Sequence, residues 1–228
     1  MSREYKNLDR DPEYRTLSIA TDLALAGRYR EKAAEIRHQL TQFVDLSGAE
    51  ILDTGCGRGA YGRLLVGESG SVVGVDVNFT ELELAAEAAH PKASYLLASG
   101  MSLPFPDKHF DLVLSRHTIE HLPKPLDFLF EAKRVLKTGG VLYLSTPNRH
   151  SISLLSSRDG RCWLLRKWFG VEKGVFSIFT LEGLVSLAQE AGFERVTTLP
   201  IPGMPEKWSR GPLQKIRPSH KLVLETGP

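Results

Sequence analysis

The chain has 228 residues, 42% hydrophobic and 25% charged, with 29 Lys and Arg against 27 Asp and Glu for a formal net charge of +2. At roughly 100–200 residues per domain the expectation is one domain, or one domain with an appended helical or lid element, large enough to bury a core unaided. The even charge balance excludes a dedicated nucleic-acid coat, so nucleic acid is not the expected partner.

The opening MSREYKNLDR has no apolar h-region, and no apolar run approaches the ~18 residues of a spanning helix. A cytoplasmic protein is therefore expected. Cys56 and Cys162 have neither a disulfide framework nor CxxC spacing, and no metal is expected.

In chain order, residues 2–22 read as an irregular polar arm. From Thr21 to Val44 apolar residues recur at helical spacing (Leu23, Ala26, Tyr29, Ala33, Ile36, Leu40, Phe43), predicting one or two helices. Short runs then predict strands at Ile51–Asp53, Val72–Val75, Tyr95–Ala98, Leu112–Ser115 and Val141–Ser145. Helices are predicted over 60–66, 80–88, 125–136 and 180–191. This alternation predicts a parallel sheet covered on both faces. The Lys137-Thr138-Gly139-Gly140 turn is expected to stop a helix and launch a strand. A strand-like stretch follows Val196, and Lys221–Glu225 reads as an edge strand.

The sharpest motif is Ile51-Leu52-Asp53-Thr54-Gly55-Cys56-Gly57-Arg58-Gly59, at a strand-to-helix turn. Gly55 and Gly57 permit positive φ and close approach of a ligand, and Gly59 is expected to let helix and strand pack tightly. The helix behind offers free N–H groups and a positive dipole end. The spacing is GxGxG, not GxGxxG, and no GK[ST] follows. Asp76 ends the next strand, where a carboxylate accepts both hydroxyls of a ribose. Loop and carboxylate at consecutive strand ends make a nucleoside-type site.

These residues carry a resemblance. ILDTGCGRG at 51–59, VVGVD at 72–76, LPFPDKHFDLVLSRHTIEHL at 103–122 and EAKRVLKTGGVLYLSTPN at 131–148 resemble a class I S-adenosylmethionine (SAM)-dependent methyltransferase. The likeness is to the type 11, ubiquinone–menaquinone methyltransferase-like group, and it resumes at FTLEGLVSLAQEAGF, 179–193. It implies that Asp53, Thr54 and the Gly55-Cys56-Gly57-Arg58-Gly59 loop hold the methionine end of SAM, with Asp76 on the ribose and Val77 on the adenine face. Arg116 would line the methionine portion. Where similar proteins often carry an acidic residue for the adenine amino group, this chain has Ser99, followed by Gly100 and Met101. The serine hydroxyl and the Gly100 or Met101 backbone are the groups left to serve adenine.

Methyl transfer from a sulfonium asks the protein for alignment and, for some acceptors, removal of a proton. His117, just past the fourth strand, is the first candidate base, since an imidazole near 6.5 suits that task. It is equally readable as a wall of the cofactor site. Glu120 and His121 match an EH pair that is usually structural in similar proteins; His121 is the second catalytic candidate. N- or C-methylation could proceed without a protein base.

Residues 149–179 form a long insertion. Between Ser151 and Ser177 it holds Arg158, Arg161, Arg166, Lys167 and Lys173 against Asp159 and Glu172, interleaved with Trp163, Leu164, Leu165, Trp168 and Phe169. It reads as an aromatic face completing the core or a dimer contact, as a lid over an acceptor, as a transient membrane-surface contact through 158–173, or as a stacking patch for nucleic acid. Arg149 and His150 could orient an acceptor, and Tyr5 and Tyr14 could cover the cofactor.

The resulting expectation is an α/β protein with a Rossmann-like, seven-stranded, mostly parallel sheet and helices on both faces. The strand count comes from the resemblance. Residues 1–47 would be an arm and helical cap, and 48–228 the SAM-binding methyltransferase domain with its lid at 149–179. The expected function is methyl transfer from SAM, yielding S-adenosylhomocysteine (SAH), to a small amphipathic metabolite, by a monomer or homodimer. The alternatives are a SAM-binding module without transferase activity and a methyltransferase acting on RNA or protein.

Overall fold

The computed structural model describes residues 12–67, 70–88, 90–148, 177, 179–199 and 219–227, with side chains from residue 26 onward. The insertion from 149 to 176, Tyr5 and the side chain of Tyr14 lie outside the described residues, and with them the lid and surface-contact readings.

Helix α1 (Pro12–Leu40) leads into β1 (Glu50–Thr54), α2 (Ala60–Leu65), β2 (Ser71–Asp76), α3 (Phe79–Glu87) and β3 (Ala93–Leu97). Then come β4 (Phe110–Arg116), a 3-10 turn (Ile119–His121), α4 (Pro125–Val135), β5 (Leu136–Pro147), α5 (Leu181–Glu190), β6 (Arg195–Thr198) and β7 (Ser219–Glu225). The seven strands form one sheet in the order β3-β2-β1-β4-β5-β7-β6. The first five are parallel, and β7 runs antiparallel to both β5 and β6. The order reverses between β1 and β4. At such a switch point the crevice beyond the carboxyl ends of the strands is open to a ligand.

The central strands are apolar without a break because both faces are covered. Along β4, Leu112 and Leu114 join Ile36 and Leu40 of α1 and Leu65 of α2 in one core. Val113 faces the other way, into a core with Phe128, Leu129 and Ala132 of α4 and Leu184 of α5. Two helix starts are capped by their own neighbouring side chains. Asn78 caps α3 by accepting from Glu81 N at 3.0 Å, and Thr180 caps α5 by accepting from Gly183 N at 3.1 Å. The last carbonyls of α2 take donors from another helix: Arg37 of α1 reaches Leu65 O at 2.7 Å and Leu64 O at 3.1 Å.

Three expectations change. The N-terminal helix is single and begins at Pro12, so residues 12–22 are helical rather than irregular. The Lys221–Glu225 run is not at an edge: β7 lies between β5 and β6, and β6 is the edge. Leu222, Val223 and Leu224 are all fully buried, which is what a run apolar on both faces demands of an interior strand. Helix α4 also ends before the glycine turn. Leu136 is already extended and pairs with Phe110, and Gly139 takes φ 77° three residues later.

Arg134, on the last turn of α4, organises the turn at 103–107. Its guanidinium donates to Leu103 O (2.9 Å), Phe105 O (2.8 Å), Asp107 Oδ1 (2.8 Å) and, with two nitrogens, to Glu131 (2.7 and 2.9 Å). Glu131 in turn accepts from Leu103 N at 2.7 Å. Replacing Arg134 with methionine strands these carbonyls, so a stability loss of about 2 kcal/mol is expected. In thermal denaturation this is a fall in Tm of about 4–8 °C; a shift under about 1 °C would show that the network contributes nothing.

Candidate active site

The glycine loop joins β1 to α2 at the switch point. Gly55 N and Cys56 N both donate to Val75 O of β2, at 2.8 and 3.1 Å, and Gly59 N closes the turn on Cys56 O at 2.8 Å. Gly55 and Gly59 both hold φ 65° and are closely packed. A Cβ on Gly55 would lie 2.2 Å from Thr118 Oγ1, and one on Gly59 would lie 2.4 Å from the Tyr95 ring. A second glycine, Gly62, also brings helix and strand together. A Cβ there would meet Val72 at 2.8 Å and Asp53 Oδ2 at 3.1 Å.

Across the crevice, the Asp76 carboxylate grips the loop. Its Oδ2 accepts from Gly57 N at 2.8 Å, and its Oδ1 from Asn78 N at 2.9 Å. Burial pushes this carboxyl up, against the hydrogen bonds from Asn78, Gly57 and Val77. With three backbone donors on its two oxygens, the carboxylate still has room to accept from a hydroxyl. Val77 follows as an exposed apolar side chain. Arg58 ties the loop to α3 through an ion pair with Glu81 at 3.0 Å, both side chains largely buried.

Asp53 lies beneath the loop, 4% exposed, and accepts from Gly62 N of α2 at 3.2 Å. Burial pushes its carboxyl up to about 7, opposed by the Gly62 N–H and by the charges of Arg116 and Arg63. Thr54 is fully buried and donates to Leu114 O at 3.1 Å, locking β1 to β4. Cys56 donates weakly to Gly57 O, and burial pushes its thiol up, so it is not a nucleophile at neutral pH. Arg116, the last residue of β4, stacks its guanidinium 3.6 Å from the centroid of Tyr61, whose ring meets Tyr29 of α1 edge-on. At the exit of β3, Ser99 Oγ accepts from Met101 N at 3.2 Å and Ser99 O accepts from Ser102 N at 3.0 Å. Gly100 packs toward Phe128, where a Cβ would come within 3.2 Å of the ring.

Beyond β4 the backbone turns sharply. His117 holds φ 53°, its N–H donating to Ser145 O at 2.8 Å. Thr118 Oγ1 lies within donating distance of Thr54 O (3.1 Å) and Arg116 O (3.2 Å), sealing the turn against the glycine loop. His117 Nδ1 lies 3.3 Å from Glu120 Oε1; the His117 side chain is 46% exposed and that of Glu120 4%. The second oxygen of Glu120 accepts from Thr146 Oγ1 at 3.0 Å. His121, the other candidate, is partly buried at the end of the 3-10 turn, its backbone N–H donating to Thr118 O at 2.9 Å.

The structure thus brings Asp53, Gly55, Gly57, Asp76, Arg116 and His117 to one end of the sheet. Glu120, read from the sequence only as half of a structural EH pair, joins them, as do Thr118 and Thr146, which were not singled out from the sequence. Among the described residues, no group of three or more His, Cys, Asp or Glu could hold a metal, and no helix is long and apolar enough to cross a membrane.

A glycine loop after β1, a carboxylate after β2 and a reversed final strand define the class I methyltransferase architecture. A family model described as "Methyltransferase domain" matches residues 52–144. A ubiquinone biosynthesis O-methyltransferase of Dinoroseobacter shibae is 30% identical over 81% of this chain and 75% of its own length. Among solved structures, a chain of the Haloferax volcanii complex between the Trm112 activator and a methyltransferase superposes with TM-score 0.67 at 18% identity, covering 92% of this chain and 94% of that one. A Thermotoga maritima SAM-dependent methyltransferase gives 0.62 at 22%, covering 91% and 95%. The chain belongs to the SAM-dependent methyltransferases and is an enzyme of that class.

Proposed function

We propose that this methyltransferase acts on an aromatic hydroxyl of a small amphipathic acceptor, a quinone precursor being the class that its relatives' names favour. The observation that carries the reading is His117 at the mouth of the crevice with the buried Glu120 carboxylate behind it. A phenol, with a pKa near 10, must lose its proton as its oxygen is methylated, and an imidazole is the group suited to take it. His121, partly buried, is the lesser candidate.

The residues present fit SAM. Asp76 would take the ribose hydroxyls, Val77 the adenine face with Ser99, Gly100 and Met101 at its edge, and Arg116 the methionine carboxylate. Asp53, Thr54 and the Gly55–Gly59 loop would form the floor. When bound, SAM supplies a methyl group on a sulfonium, so the chain has no need of a nucleophile of its own. We also read residues 1–47 as a cap on a methyltransferase domain at 48–228. In that reading Tyr29 steadies Tyr61 and, through it, Arg116.

The test is calorimetric titration with SAM and SAH, followed by methylation assays on catechol-type acceptors. Saturable binding with transfer to oxygen supports the reading. Binding of both with no transfer to any aromatic hydroxyl would leave a methyltransferase of another acceptor class.

Asp53 adds a pH dependence. Its folded pKa lies above the ordinary 3.8, so in the free protein the neutral acid's stabilisation is complete below about 3.8 and lost as pH rises through about 7. A cationic ligand draws on the ionised form, which gains population over the same rise. SAM affinity is therefore expected to strengthen by about five- to tenfold between about pH 6 and 7.5, with proton release measurable by calorimetry in two buffers. A flat profile would uncouple Asp53 from the ligand.

A further inference from the structure

We propose that Glu120 is the positioning residue for His117, holding its imidazole as the Nδ1–H tautomer so that Nε2 faces the acceptor, with Thr146 steadying the carboxylate. The inference rests on His117 being the base and adds how that base is prepared.

The argument begins with an expensive carboxylate. The Glu120 residue is 3% exposed, and a buried carboxylate is costly unless donors surround it. Among the described residues its oxygens find two side-chain donors: the Thr146 hydroxyl at 3.0 Å on Oε2 and His117 Nδ1 at 3.3 Å on Oε1. A carboxylate only accepts, so the pair is bonded only when Nδ1 carries the proton. That leaves the Nε2 lone pair, on the other edge of a half-exposed ring, as the basic site. Free neutral imidazole has no such constraint.

Two further features maintain this arrangement. His117 sits in the left-handed region at φ 53°, a conformation that is strained for an ordinary residue. The turn is held there by the His117 N–H on Ser145 O and by the Thr118 hydroxyl between Thr54 O and Arg116 O. Glu120 is anchored as well: its backbone carbonyl accepts from Ser177 N at 3.2 Å, and Thr146 is fully buried near the end of the β5–β7 ladder, opposite His220. Strain kept by its surroundings at the mouth of a crevice is a sign of a placed side chain. The 3.3 Å separation is long for a strong bond, as acid–base contacts commonly are before substrate binds.

The experiment reads the tautomer directly. Two-bond proton–nitrogen NMR of the full chain, labelled at histidine nitrogen and above the pH of imidazole protonation, is recorded without cofactor or acceptor. Wild-type His117 is expected as the Nδ1–H form. In Glu120→Met, of similar volume but without an acceptor, it should revert mainly to Nε2–H. In Glu120→Gln, whose amide oxygen can still accept, it should be intermediate. With a catechol as probe, kcat should fall about 10- to 100-fold in Glu120→Met, recover in part in Glu120→Gln, and leave the SAM dissociation constant unchanged.

An Nε2–H signal in the wild type would overturn the proposal, as would an unchanged tautomer in Glu120→Met. The wild-type spectrum decides the first point even if the methionine variant fails to fold. An Nδ1–H form in a protein that methylates no aromatic hydroxyl would overturn the acceptor reading and leave the Glu120 assignment standing.

Discussion

Replacing His117 with asparagine is expected to lower turnover of an aromatic hydroxyl acceptor by about 100- to 10,000-fold, the range for loss of a positioned general base. The dissociation constants of SAM and SAH should stay within about twofold. Asparagine is the informative choice because it tolerates the left-handed backbone that His117 occupies at φ 53°. It can also keep a hydrogen bond to Glu120, so neither strain nor a stranded carboxylate confuses the result. What is lost is the basic nitrogen. In free energy the effect is about 2.7–5.5 kcal/mol on the barrier. A parallel fall in cofactor affinity and turnover would make His117 a wall of the cofactor site instead. Unchanged turnover would mean that the acceptor needs no protein base, as in methylation at nitrogen or carbon.

What could be read from the residues was whatever depends on local pattern. Runs such as Leu112–Ser115 and Val141–Ser145 announce strands buried on both faces, and the 51–59 loop with Asp76 marks the strand ends that meet at the switch point of the sheet. The Lys221–Glu225 run was legible as a strand, but its place in the sheet depends on antiparallel pairing with both β5 and β6 across long separations. Gly62 escaped notice because a glycine inside a short helix has no local reason to be there. Its reason is the side chains of Val72 and Asp53 pressed against it. The His117–Glu120 pair was half visible. Its i, i+3 spacing was in plain view, but only a left-handed residue at 117 and a hydroxyl from Thr146 on the next strand turn that spacing into a buried carboxylate behind an imidazole. Arg134 is similar: its partners lie 27–31 residues upstream, apart from Glu131 on its own helix.

Replacing Asp76 with alanine is expected to weaken SAH binding by about 2–4 kcal/mol, about 30- to 1,000-fold by calorimetry. Two losses combine. The first is the charged acceptor for the ribose hydroxyls, about 1.5–3 kcal/mol for hydrogen bonds to a charged group. The second is internal, because the same carboxylate accepts from Gly57 N at 2.8 Å and Asn78 N at 2.9 Å, pulling the glycine loop toward β2. Without it those N–H groups lose their partner and the loop loses its set distance from the crevice. Asp76→Asn separates the two. Its amide oxygen can hold one of the backbone donors but brings no charge to the ribose, so it should fall between the wild type and alanine. Loop loosening should also lower thermal stability in the alanine variant with no ligand present, whereas a ribose contact alone would not. Wild-type SAH affinity in a folded Asp76→Ala protein would remove the carboxylate from the cofactor site. Equal losses in alanine and asparagine would place the whole effect on the charge, and with it on the ribose.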